Sequence, residues 1–182
     1  MVDLYWIPLG AGGHCVRLTG LVYRALTGRE LYHAALIVDD HAIEVAPSWD
    51  ADEASRGVVA TGAVGSRLLG RWRLFRYEVR CWRGGTIPDL AEAVGGPRRI
   101  SSDPAAARRL LDAAATVPSP VWGRDELGAG EMWNSNSVVA WLLATAGLPA
   151  ERLHPPPHGR APGWAAGLEV AGAGSLIRPY TG

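Results

Sequence analysis

Apolar residues along this chain fall into two rhythms. Near the start, Val2, Leu4 and Trp6 alternate with other side chains, the period of a strand, which predicts β-structure over residues 2–8. Gly10, Gly12 and Gly13 then interrupt the pattern as a loop. From about 15 to 26 the spacing turns helical, with Leu18, Val22, Ala25 and Leu26 on one face and Gly28 as the stop. Tyr32–Val38 and Ala42–Ala46, joined by Asp39-Asp40, read as a β-hairpin. A further strand is expected over residues 57–61. Arg71–Trp82 alternates most clearly, with a phase slip at Phe75-Arg76 that predicts a bulge. The same alternation puts Arg71 and Arg73, and Arg76 and Arg80, on solvated faces that guard a sheet edge.

Helical spacing dominates the second half. Pro88 opens a short helix ending near Gly95-Gly96. Asp103-Pro104 is a cap followed by a proline at the first helical position, and the helix is expected to run to about 116. The most apolar helix begins near 134, carries Val138, Val139, Trp141, Leu142 and Leu143, and stops at Gly147. Residues 148–182 are rich in Pro and Gly and read as an irregular C-terminal wrap. The fold class is α+β, an antiparallel sheet packed with helices, in one domain over residues 1–182.

Composition narrows the chemistry. Eighteen basic residues balance eighteen acidic ones, so no bulk positive charge favours nucleic acid. Every one of those cations is Arg, which removes Schiff-base chemistry, a P-loop lysine and a lysine general base. Cys15 and Cys81 form neither a disulfide scaffold nor a CxxC site. His154 and His158 in the tail lack ligand spacing, so neither metal nor cofactor is expected. No apolar run approaches the ~18 residues of a membrane span, and the N-terminus is not a secretory signal. The expectation is a cytoplasmic protein with a small-molecule or peptide substrate and neither nucleic acid nor membrane as partner.

The only two Asn of the chain flank one serine, in Trp133-Asn134-Ser135-Asn136-Ser137, at the start of the most apolar helix. Unsatisfied N–H groups and a partial positive charge at a helix N-terminus favour a nucleophile that becomes anionic and can face a developing oxyanion. His33 sits within an apolar strand, and Glu44 lies on the next strand, where an acid wants a partner. Nucleophile on a helix terminus, imidazole on one strand and carboxylate on its neighbour follow the logic of a triad: Ser135 nucleophile, His33 base, Glu44 its orienter. Trp133, Asn134 and Asn136, with His14 from the Gly-rich loop, are the candidate substrate-binding residues. Asp125 and Glu126 are placed at the rim.

Tyr32-His33-Ala34-Ala35-Leu36-Ile37-Val38, then Glu44-Val45-Ala46-Pro47, then the Asn134–Ser137 helix resemble the circularly permuted papain-like proteins, the permuted NlpC/P60 group. That resemblance implies amide, thioester or isopeptide hydrolysis, or acyl transfer, with a nucleophile pattern Asn-Cys-Asn-Ser; the chain is read as acting on an amide or ester bond. This chain has Ser135 where the pattern has Cys. A hydroxyl cannot be ionised by a helix terminus as a thiol can, so Ser135 would need His33 as a true general base. Two other readings stand beside it: an inactive site of the same fold that binds a peptide or small ligand, and a helix that is merely well capped.

Overall fold

The computed structural model describes residues 1–9, 29–48, 57–85, 87 and 89–176. Its sheet is built from β1 (Val2–Pro8), β2 (Glu30–Val38), β3 (His41–Pro47), β4 (Val58–Ala63), β5 (Arg76–Arg83) and β6 (Arg98–Ser101). They lie antiparallel in the order β4-β5-β3-β2-β1-β6. The two-residue strand β7 (Gly159–Arg160) adds in parallel to the start of β2. Among the described residues three α-helices complete the fold: α1 (Pro104–Ala114), α2 (Ser135–Thr145) and α3 (Trp164–Leu176). The fold is α+β. The expected helix over 15–26 lies outside the described residues, as do His14 and Cys15.

Strand periodicity sorts the sheet into two faces. Val2, Leu4 and Trp6 of β1, Tyr32, Ala34, Leu36 and Val38 of β2, and Tyr77 and Val79 of β5 share one core with Leu110 of α1 and Val138 and Leu142 of α2. Each fully buried aliphatic there contributes about 1.5–3 kcal/mol. The opposite face carries a smaller apolar cluster of Ile7, Ala35, Ala42 and Ile87. The hairpin turn works because Asp39 takes φ 52°, a left-handed conformation that Asp tolerates.

Three expectations need correction. Residues 69–71 and 73–75 are short 3-10 turns, so the strand starts at Arg76, and Trp72 and Leu74 project into solvent. The phase slip is therefore a strand boundary, not a bulge. Second, Arg80 is 1% exposed, because the face it shares with Glu44 and Glu78 is covered. Third, the C-terminal wrap is not irregular: α3 packs along α2. Its glycines weaken intrinsic helicity, but Gly167 lets the helices touch; a Cβ there would stand 2.2 Å from the Ser137 carbonyl oxygen. Only a 3-10 turn at Leu90–Glu92 answers the helix expected after Pro88. β6, too short and polar to show alternation, was not anticipated.

Candidate functional site

Helix α2 begins with a capping box. The Asn134 side chain accepts from the backbone N–H of Asn136 (2.9 Å) and of Ser137 (3.4 Å), while the Ser137 hydroxyl accepts the Asn134 N–H at 3.0 Å. This leaves the N–H of Ser135 itself as the amide of the first turn that the cap does not use. The ring of Trp133 is 2% exposed and belongs to the core beside Tyr77. Burial pushes the Tyr77 phenol up, and its hydroxyl donates to the Pro120 carbonyl at 2.8 Å. Trp133 and Asn134 are thus placed by packing and capping, not facing an open substrate site.

Asn136 is 3% exposed and does something a cap does not require. Its Oδ1 accepts from the Ala34 N–H at 2.8 Å and its Nδ2 donates to the Tyr32 carbonyl at 3.0 Å. β3 pairs with β2 only across Leu36, Ile37 and Val38. In an antiparallel ladder alternate residues face the same neighbour, so the groups on Tyr32 and Ala34 are those a longer β3 would have taken. The carboxamide of Asn136 therefore stands in for a strand at the point where the sheet opens. It straddles His33, and Ser135 is one residue away, about 3.8 Å along the chain from Cα to Cα.

The tail closes the other side. The Pro162 carbonyl accepts from Nδ2 of both Asn134 and Asn136, each at 2.9 Å, and the Gly163 N–H donates to Glu131 at 2.8 Å. Gly163 has φ +84°, and a Cβ there would meet Asn134 and the Ser137 hydroxyl at 2.6–2.7 Å. Trp164 follows directly and stacks at 5.0 Å from Trp6. The α2 terminus is thus pinned between β2 and the Pro162-Gly163 turn.

His33 alternates away from Tyr32 and Ala34 and so lies on the second face, paired across the ladder with Ile7. Burial holds its imidazole below the usual histidine range, with the charge of Asp89 pulling partly the other way. Glu44 shares that face, but its ion-pair partner is Arg80, at 3.7 Å. Arg80 is held more closely by Glu78 (2.8 Å), which in turn accepts from Ser48 at 2.6 Å. The carboxylate expected to orient His33 thus lies 3.7 Å from a buried guanidinium, and the acid whose charge reaches His33 among the described residues is Asp89, which sequence spacing gave no reason to pick. Asp125 and Glu126 do turn-building work: Asp125 accepts from the N–H groups of Ala129 and Gly130, and Glu126 from Arg67 and the Val121 N–H.

Among the described residues no group of three or more His, Cys, Asp or Glu could hold a metal, and no helix is long and apolar enough to cross a membrane. Comparison of the chain with protein-family models, with curated proteins and with solved structures finds no match.

Proposed function

We propose that this chain is an acyl hydrolase or acyltransferase acting on an amide or ester bond, of permuted papain-like type. Ser135 is the nucleophile, His33 the general base, and the Ser135 N–H an oxyanion donor. The observation that carries this reading is the Asn136 clamp, which fastens the α2 N-terminus to the open edge of β2 at the peptide groups on either side of His33. The imidazole itself lies on the sheet face away from the α2 core, so the reading requires it to reach Ser135 round that open edge. A helix that needed only a cap would not spend its second residue on that strand. His33, kept neutral by burial, is in the protonation state a base requires near neutral pH. It would take the Ser135 proton as Oγ bonds to the substrate carbonyl carbon and return it to the leaving amine or alcohol. Water or an acceptor nucleophile would then release the acyl group. Glu44, on the same sheet face as His33 and 3.7 Å from Arg80, is the orienting carboxylate of the reading.

The second reading, a catalytically silent cleft that binds a peptide or small ligand, is favoured by one observation. Asn134 already consumes two of the N–H groups that an oxyanion site would use. A fluorophosphonate probe separates the two. Labelling of the wild type that disappears in both Ser135→Ala and His33→Ala supports catalysis. Failure of the folded wild type to label leaves the binding reading in its place.

A further inference from the structure

Where β3 and β5 run on past the last pairing of β3 with β2, a groove of about 260 Å³ opens among Val45, Pro47, Val64, Leu74 and the aromatic pair Tyr77–Trp122. The two rings lie 5.3 Å apart and tilted by 54°, with Tyr77 buried and Trp122 the more open of the two. Arg76 is the charged residue among its lining side chains. Its Nε–H donates to the Gly70 carbonyl at 2.5 Å and an Nη–H reaches the Arg71 carbonyl at 3.4 Å. Both partners are neutral. The guanidinium is thus oriented by main chain and half-buried, with no carboxylate paired to it among the described residues. The other arginines nearby differ: Arg67 is bound to Glu126 and Arg80 to Glu78.

We infer that this groove binds a small aromatic carboxylate, one ring on a short arm, with the ring against Tyr77 and Trp122 and the carboxylate on Arg76. Size sets the class. A dry cavity of roughly 150 Å³ accommodates one benzene, so the groove takes a ring plus two or three further carbons and no more. Charge sets the head group, because a planar guanidinium favours a carboxylate through charge-assisted hydrogen bonds. The inference does not rest on the reaction proposed for Ser135.

The test uses 3-phenylpropionate and its neutral counterpart 3-phenylpropan-1-ol, titrated against the full chain by calorimetry and by amide and indole NMR shifts. The acid is expected to bind saturably, with shifts centred on Val64, Tyr77 and the Trp122 indole. The alcohol is expected to bind about tenfold more weakly, the scale of one charge-assisted hydrogen bond at a half-exposed site. Arg76→Gln should remove that preference. Leu74→Trp, at a side chain that is 59% exposed and therefore tolerant, should obstruct the groove and weaken both ligands. Equal affinity for acid and alcohol in the wild type, shifts centred elsewhere, or no saturable binding to millimolar concentration would each overturn the proposal. Because the wild-type shift map needs no variant, a misfolded Arg76→Gln leaves the test decisive.

Discussion

Helices α1 and α2 are each 11 residues long, and their N-termini solve the same problem differently. At α1 a single Asp103 accepts from the N–H groups of Ala105 (2.9 Å) and Ala106 (3.1 Å), Pro104 needs no partner, and the turn is exposed. At α2 four polar residues occupy the same few positions, and two of them are buried. The contrast sorts the four. Asn134 and Ser137 do between them what Asp103 does alone, with the reciprocal bond added. Asn136 fastens the helix to β2 and the tail. Ser135 has no comparable task. A helix that required only stability would resemble α1, so the surplus at α2 is where function is to be sought.

The largest effect expected from breaking this comparison is at Asn136. Asn136→Ala removes the side-chain acceptor of the buried Ala34 N–H and a buried hydrogen bond to the Tyr32 carbonyl. It should cost about 3 kcal/mol or more, or roughly 6–12 °C in Tm for a chain of this size. Thermal and denaturant unfolding read it directly. A loss no greater than that of Asp103→Ala would reduce the Asn136 clamp to an ordinary surface contact. Next comes Gly163→Ala, where a positive φ and contacts of 2.6–2.7 Å onto the capping box combine. About 2 kcal/mol is expected, because Asn134 and Ser137 are themselves held by hydrogen bonds and cannot give way freely. The caps themselves follow. Asn134→Ala should cost about 1.5–2 kcal/mol against about 0.5–1 kcal/mol for the exposed Asp103→Ala, the two ends of the range for lost caps.

His33 sharpens the comparison through pH. Its folded-state pKa lies below that of the unfolded chain, since burial opposes the charged form. As pH falls below about 6.5 the unfolded state therefore binds the proton first, and stability declines until the folded value is passed. Above that window the His33 contribution is constant. Denaturant midpoints measured from pH 7.5 down to 5 should fall in the wild type and fall less in His33→Asn. Equal slopes in the two proteins would place the acid sensitivity on other groups.

How much of this was legible in the sequence follows from the range of each interaction. The β2–β3 hairpin, the Asp103 cap and the Asn-rich start of α2 are written locally, in turn chemistry, cap residues and period, and they stand where the pattern put them. α3 was hidden because Gly167 is unfavourable within a helix and becomes intelligible only once Ser137 and Ala140 are opposite it. The pairing of Glu44 with Arg80 depends on the β3–β5 register, which joins strands that are not neighbours in sequence. The exposed Trp72 and Leu74 mimic a strand because a run of turns between arginines can carry the same alternation. A residue composition that singled out Asn134 and Asn136 led to the capped start of α2. The division of labour between them needed the open edge of β2, which no local pattern encodes.

The smallest stability effect belongs to Ser135, and that smallness is the point. Its side chain occupies the first position of α2, half-buried, while Asn134 and Ser137 carry the cap. Ala has the higher helix propensity, so Ser135→Ala should leave unfolding within about 0.5 kcal/mol of wild type. Under the proposed reaction the same change abolishes fluorophosphonate labelling. Ser135→Cys should instead gain a thiol whose alkylation rate rises with pH along a curve displaced below the ordinary ~8.5, since the helix terminus favours the thiolate. A terminus that served only to begin a helix would show the same small stability change and the same displaced thiol titration, since both follow from the cap and the helix terminus, but no fluorophosphonate labelling of the folded wild type. Measuring labelling on the wild type, with unfolding and thiol titration on the two variants, therefore tests directly whether the polar surplus at α2 is architecture or chemistry.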